Sequence, residues 1–290
     1  MPGWTLVVSR REVARAPAQR VFGLPHPSLA AHVLTYTAHD YPRMELMSWR
    51  VAPLGVVTVT IDLEVPIRRL AAPDPQQGQD LPASPVTGLR DRPLTLEQGG
   101  ASRGIILAMT PLGAYALFGL PLRELANTNI GLGDLLGADA HLLSEQIAET
   151  SDWPGRFRVL DNYLAARLLH GPTLARPVQG AWQLVMASPR RLRISTLAEQ
   201  IGWTRQHLNV RFREQIGLTP KTVARIARLH HAASLLSQPM PPSWSDVAQR
   251  CGYADQPHLN RDFRTLTGCT PTEYLTDAPA RQQQKRAPHS

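Results

Sequence analysis

Arginine, glutamine and asparagine present hydrogen-bonding groups in planar pairs, and this chain places such residues twice at one helical spacing. Arg205, Gln206 and Asn209 form the first set, and Gln256, Asn260 and Arg261 the second. The i, i+4 separations of Arg205 with Asn209 and of Gln256 with Asn260 put each pair on one helix face. Such groups match base edges. A guanidinium fits guanine O6 and N7, a carboxamide fits adenine N6 and N7, and each pairing gives ~1–3 kcal/mol of discrimination. Thr204, Arg213, Lys221 and Arg264 flank these sets and suit phosphate oxygens, which position a protein on a duplex without specifying sequence.

Side chains discriminate only when a rigid element holds them, and the surrounding residues describe one. Residues 197–220 read Leu197-Ala198-x-x-x-Gly202-Trp203, then His207-Leu208-Asn209, Phe212, Gly217 and Thr219-Pro220. Residues 247–271 read Val247-Ala248-x-x-x-Gly252-Tyr253, then His258-Leu259-Asn260, Phe263, Gly268 and Thr270-Pro271. From each histidine onward the spacings are identical, with one residue inserted before the second histidine. An apolar helix, a glycine, a short turn and a second helix make a helix-turn-helix, here in tandem. Leu208 with Phe212, and Leu259 with Phe263, fall at i, i+4 and belong inside, which turns the candidate readers outward.

The expected helices cover 181–187, 195–201, 204–215, 220–236, 243–250 and 255–266. A short closing helix follows the capping box Thr270-Pro271-Thr272-Glu273. The helix from Pro220 carries Val223, Ile226, Leu229, Ala233 and Leu236 along one side. At ~1.5 Å per residue it can hold the two motifs about one groove repeat apart. Pro257 falls in a first turn, where proline is tolerated; it removes one polar reader. His207 and His258 recur beside the buried leucines, which suits packing or a local hydrogen bond rather than a ligand role.

Charge agrees. Residues 176–290 hold 16 Lys+Arg and 7 Asp+Glu, so 16 − 7 = +9; residues 1–175 hold 15 and 16, so 15 − 16 = −1, the two summing to the net +8. The basic excess thus lies wholly on the segment with the repeat, which implies a polyanion partner there. The chain has 290 residues, 43% of them hydrophobic, enough for about two domains. No run of eighteen apolar residues marks a membrane span. Arg10, Arg11, Arg15 and Arg20 interrupt any secretory signal. Cys251 and Cys269 lack a CxxC or metal-ligand partner, so they read as small packed residues in a reducing, cytoplasmic setting rather than as a disulfide.

Residues 1–175 read as β-rich and then helical. Strands are expected at 5–9, 45–51, 56–61 and 103–109. The Pro-, Gln- and Asp-rich stretch 72–93 reads as a long exposed loop or a partly disordered insertion. One helix is expected through Leu135, Leu136, Leu142, Leu143 and Ile147, and a second over 156–169. These two form either a dimer seam or an intradomain core. Gly171-Pro172 and Arg176-Pro177 mark a linker. The division is therefore 1–175, an all-α domain 176–278 and a disordered tail 279–290, an α+β two-domain protein. No catalytic set, cofactor motif or metal site emerges: His26, His32 and His39 are dispersed, His141 and His170 isolated, and Asp62 with Glu64 only a bare pair.

Residues 180–276 resemble the AraC/XylS family of bacterial transcription regulators. The resemblance rests on the tandem motif, the connecting Arg228-Leu229-x-x-Ala232-Ala233-x-x-Leu236, Gly252-Tyr253, Phe263, Gly268 and Thr270-Pro271. It implies about seven helices, with one recognition helix from each motif in successive major grooves of promoter DNA. It also implies an N-terminal, barrel-like domain with helices that senses a small-molecule effector, forms a homodimer, or both. An activator that meets RNA polymerase is the corresponding expectation. Family members commonly carry a basic residue two after the leucine of the first recognition helix, but here Val210 stands there. Either Val210 touches a thymine methyl or the first motif reads fewer bases. Two rivals are an enzyme tethered to DNA, which should show a nucleophilic cysteine in the N-terminal half, and a non-specific architectural binder.

Overall fold

The computed structural model describes residues 19–71, 78–187 and 193–276. The strand expected at 5–9 and the tail 279–290 lie outside these residues. Eight strands are present among them: β1 (Gln19–Gly23), β2 (Val33–Val51), β3 (Val57–Glu64), β4 (Ile67–Leu70), β5 (Gln79–Asp80), β6 (Pro85–Thr87), β7 (Leu94–Met109) and β8 (Asn129–Gly131). They pair in the order β1-β2-β7-β3-β6-β8, with β4 on β7 and β5 on β4, every ladder antiparallel.

Alternation along the central strands sorts the side chains into two faces. Tyr36, Leu107 and Val59 form one cross-strand row, and Ala38, Ile105 and Ile61 the next. All six are buried. The helices α1 (Pro111–Phe118), α2 (Leu132–Leu136), α3 (Ala138–Glu149) and α4 (Trp153–His170) follow. The Tyr36 ring stacks on Phe157 of α4 at 5.4 Å, and its hydroxyl donates to Asp161 at 2.8 Å. On the opposite face His39, Gly104 and Asp62 form a row. His39, Thr60, Asp62 and Ser102 are buried there. Two nitrogens of Arg68 donate to the two oxygens of Asp62, each at 3.1 Å, a bidentate geometry that offsets the cost of enclosing both charges.

Three expectations need correction. The stretch 72–93 is not wholly an exposed loop: β6 pairs with β3 and β8, and Val86 and Leu89 are buried. Two buried apolar residues three apart among prolines and aspartates are too few for a periodic signal. The helix expected through Leu135 to Ile147 is two helices broken at Gly137, whose φ is +60, and Leu142 is 54% exposed. Leu136, Leu143, Ile147, Phe157, Leu160 and Leu164 are buried, so these residues pack within the chain. Pro177 does not end a linker; it sits in the first turn of α5 (Arg176–Ala187), where its missing N–H costs nothing.

Six further helices complete the fold: α6 (Ile194–Gln200), α7 (Arg205–Ile216), α8 (Pro220–Leu236), α9 (Trp244–Cys251), α10 (Gln256–Thr267) and α11 (Pro271–Thr276). One buried apolar cluster runs from Leu29 to Tyr274. Helix α7 meets α1 and the turn Leu122–Glu124, and Gln215 accepts from the Ala175 N–H at 3.0 Å. The end of β2 and the turn after it also reach the helices, the first at the end of α10 and the second at α8. Arg50 donates to the Gly268 carbonyl at 2.8 Å, and His230 donates to the Pro53 carbonyl at 2.9 Å.

Phe212 and Phe263 are both 0% exposed, so Phe212→Ala or Phe263→Ala should each cost ~3–5 kcal/mol in denaturant unfolding. Burial lowers the His39 imidazole from 6.5 to about 4, helped by Arg68 and Arg20 and opposed by Asp62 and Asp40. The folded value lies below the unfolded one, so the unfolded chain binds the proton more readily. Stability should therefore fall as pH drops from about 6.5 towards 4, and His39→Gln should show a shallower fall in urea midpoints across that window.

Candidate nucleic-acid interface

Each motif is set by the turn between its helices. Gly202 and Gly252 have φ of +70 and +75, a left-handed conformation that a Cβ disfavours. In both copies the next N–H reaches back five residues: Trp203 to the Ala198 carbonyl and Tyr253 to the Ala248 carbonyl, each at 2.9 Å. This satisfies carbonyls that would otherwise end the helix unpaired. The second helix then starts on a side-chain cap. Thr204 accepts from the His207 N–H at 3.2 Å, and Asp255 from the His258 N–H at 2.7 Å. The inserted Ala254 precedes the cap, so α7 and α10 are each 12 residues long and keep one register.

The histidines pack. His207 meets the Trp203 ring edge-on at 4.5 Å, and His258 meets Tyr253 at 5.3 Å. No group of three or more His, Cys, Asp or Glu able to hold a metal occurs among the described residues. Cys251 is buried and Cys269 half-buried, and neither is in a disulfide.

Leu208 and Phe212 of α7, and Leu259 and Phe263 of α10, are each 0% exposed. With the inward stripes so committed, the outward ones are defined. Arg205, Gln206, Gln256 and Arg261 are exposed, and Asn209 and Asn260 half-buried. Thr204, Arg213, Lys221 and Arg264 are exposed as well. Thr204 already uses its oxygen as a cap acceptor, which leaves its O–H as a donor. Val210 is 59% exposed. Its neighbour Arg211 is half-buried and donates to Glu214 at 2.7 Å.

One pair was not anticipated. Asp262, on the otherwise basic α10, is buried and accepts from two nitrogens of Arg225 in α8, at 2.7 and 3.2 Å. Arg228, also in α8, lies over the Tyr253 ring at 5.2 Å. Two half-buried cations of the connecting helix thus hold the second motif. The only hint in the sequence is an acid immediately before the inward Phe263.

The repeat supplies an internal control for that pair, because Arg211 occupies the place of Asp262 in the first copy. Removing one partner of a buried ion pair costs up to ~3–5 kcal/mol, and Arg225 retains some solvent, so Asp262→Ala should cost roughly 2–3 kcal/mol. Glu214→Ala should change stability by less than ~1 kcal/mol, as for a surface pair. Urea denaturation of both variants measures the contrast.

Among the described residues no helix is long and apolar enough to cross a membrane. Residues 197–277 match the family model of a helix-turn-helix domain. An uncharacterized HTH-type transcriptional regulator of Staphylococcus aureus strain MSSA476 is 30% identical over 100 residues, 34% of this chain, which spans 13% of that protein's length. LumQ of Photobacterium leiognathi, a probable transcriptional regulator, is 38% identical over 63 residues, 22% of this chain and 25% of that one. Among solved structures, a probable AraC family transcriptional regulator from Rhodopseudomonas palustris is 28% identical, covering 36% of this chain and 98% of that one, with a TM-score of 0.33. ToxT from Vibrio cholerae is 14% identical, covering 83% of this chain and 98% of that one, with a TM-score of 0.46. By its repeated motif, its seven helices α5 to α11 and its match to the family model, the C-terminal part of the chain carries a helix-turn-helix domain.

Proposed function

We propose that residues 176–278 read double-stranded promoter DNA, with α7 and α10 entering successive major grooves on one face of the duplex. The observation that carries this is the repeated construction. Two 12-residue helices share one turn geometry and one inward Leu/Phe pair, and each turns a polar, basic face to solvent. In this reading Arg205, Gln206, Asn209, Gln256, Asn260 and Arg261 contact base edges, while Thr204, Arg213, Lys221 and Arg264 hold phosphates. The connecting α8 has 17 residues and spans ~25 Å at ~1.5 Å per residue. The regulators named among the relatives support a role in transcription.

Residues 1–175 act in this proposal as the controlling domain, through a small-molecule effector, a homodimer contact, or both. The output is activation of transcription through RNA polymerase in the cytoplasm. The contacts of Arg50 in β2 with Gly268 at the end of α10, and of Pro53 after β2 with His230 in the connecting α8, support control of the helical part by the N-terminal domain.

Selection of bound sequences with the purified full chain tests the proposal. Affinity for the selected site should exceed that for bulk DNA by ~10³ or more; equal affinities would leave a non-specific binder. Arg205→Ala or Arg261→Ala should relax preference at one defined base pair, at a cost of ~1–3 kcal/mol. Lys221→Ala should weaken all sequences alike and lower the salt slope by about 1.

A further inference from the structure

We infer that Val210 reads thymine through its 5-methyl group, so that the two motifs recognise chemically unlike half-sites. This rests on the proposed function and names what its first reader takes. The outward stripe of α7 is Gln206, Val210 and Arg213, at i, i+4 and i+7; the corresponding stripe of α10 is Pro257, Arg261 and Arg264. At the first two of these positions the order of polar and apolar residues is thus inverted between the copies, while the third is arginine in both. Val210 is 59% exposed, in the place where the second motif carries the exposed Arg261.

Neither folding nor the neighbouring charge accounts for a valine there. The inward positions of α7 are Leu208, Phe212, Gln215 and Ile216, and Val210 is not among them. A β-branched residue also lowers helix propensity relative to the straight-chain residues that usually fill exposed positions. Arg211 does not restore the missing cation in that stripe: it takes the place that the buried Asp262 holds in the second copy, is half-buried, and donates to Glu214 at 2.7 Å. On the major-groove edge of the four bases the thymine methyl is the one apolar feature. A valine in a helix is held in essentially one rotamer, so its contact with that methyl orders little that was free. Gln206 lies one turn before Val210 and Asn209 beside it; both suit adenine. In the first half-site the base pairs facing these three residues are therefore A·T, with any guanine left to Arg205; in the second, the pair facing Arg261 carries a guanine.

Deoxyuridine differs from thymidine only by the missing methyl, which isolates the contact. With the full chain and its selected site, each thymine of the first half-site is replaced singly by deoxyuridine. One replacement should weaken binding by the parent about fourfold, the factor for burying one methyl-sized group. Val210→Ala, which lacks both γ-methyl groups, should respond to that same replacement by less than about twofold. Val210→Arg should shift the preference at that base pair to guanine. Both changes fall at an exposed position, and a thermal melt matching the parent confirms folding. A specific site at which no single replacement alters the parent's affinity overturns the inference alone. So does a Val210→Ala protein that keeps the parent's full response. Failure of the parent to select any sequence instead overturns the reading of the chain as a sequence-specific binder, and this inference with it.

Discussion

A 12-residue helix can give only one face to a core, and the whole reading surface depends on which face that is. In α7 and α10 the choice is made by a leucine and a phenylalanine one turn apart, each fully enclosed. Close packing of these two side chains sets the rotation of the helix about its axis. The turn before the helix sets its start, through a left-handed glycine and a side-chain cap. Once rotation and start are set, each outward position has one direction. That is why two copies that differ at most outward residues can still be compared position by position.

This construction also explains what could be read from the amino-acid sequence. The helices from 194 to 276 lie within one or two residues of their expected bounds. Caps, glycines and i, i+4 pairs are local signals, and the repeat states each of them twice. The sheet was much less legible. The first half of β2, the strands β1, β4, β5, β6 and β8, and α1 were not foreseen. Their partners are distant in sequence: Val86 of β6 depends on Val59 and Ile130. A strand of two to five residues carries too short an alternation to stand out.

The candidate site divides in the same way. The outward Arg, Gln and Asn residues follow from helical periodicity alone, and the structure leaves them exposed or half-buried. The Arg225–Asp262 pair joins residues 37 apart in sequence and has no periodic signature. Nor could the engagement of Arg211 by Glu214 be separated from an ordinary basic surface without coordinates. These two pairs decide which cations are structural and which remain available to a polyanion.

The continuous core has a practical consequence for anyone separating the two halves. Gly217, at the end of α7, lies against Leu122 and Ala126, and Ile216 and Leu218 on either side of it are buried. Excising the helical part would strip a wall from this corner and expose an oily seam beside the first motif. A transplantable reader would need polar replacements along that seam before it could stay monodisperse apart from its native sheet.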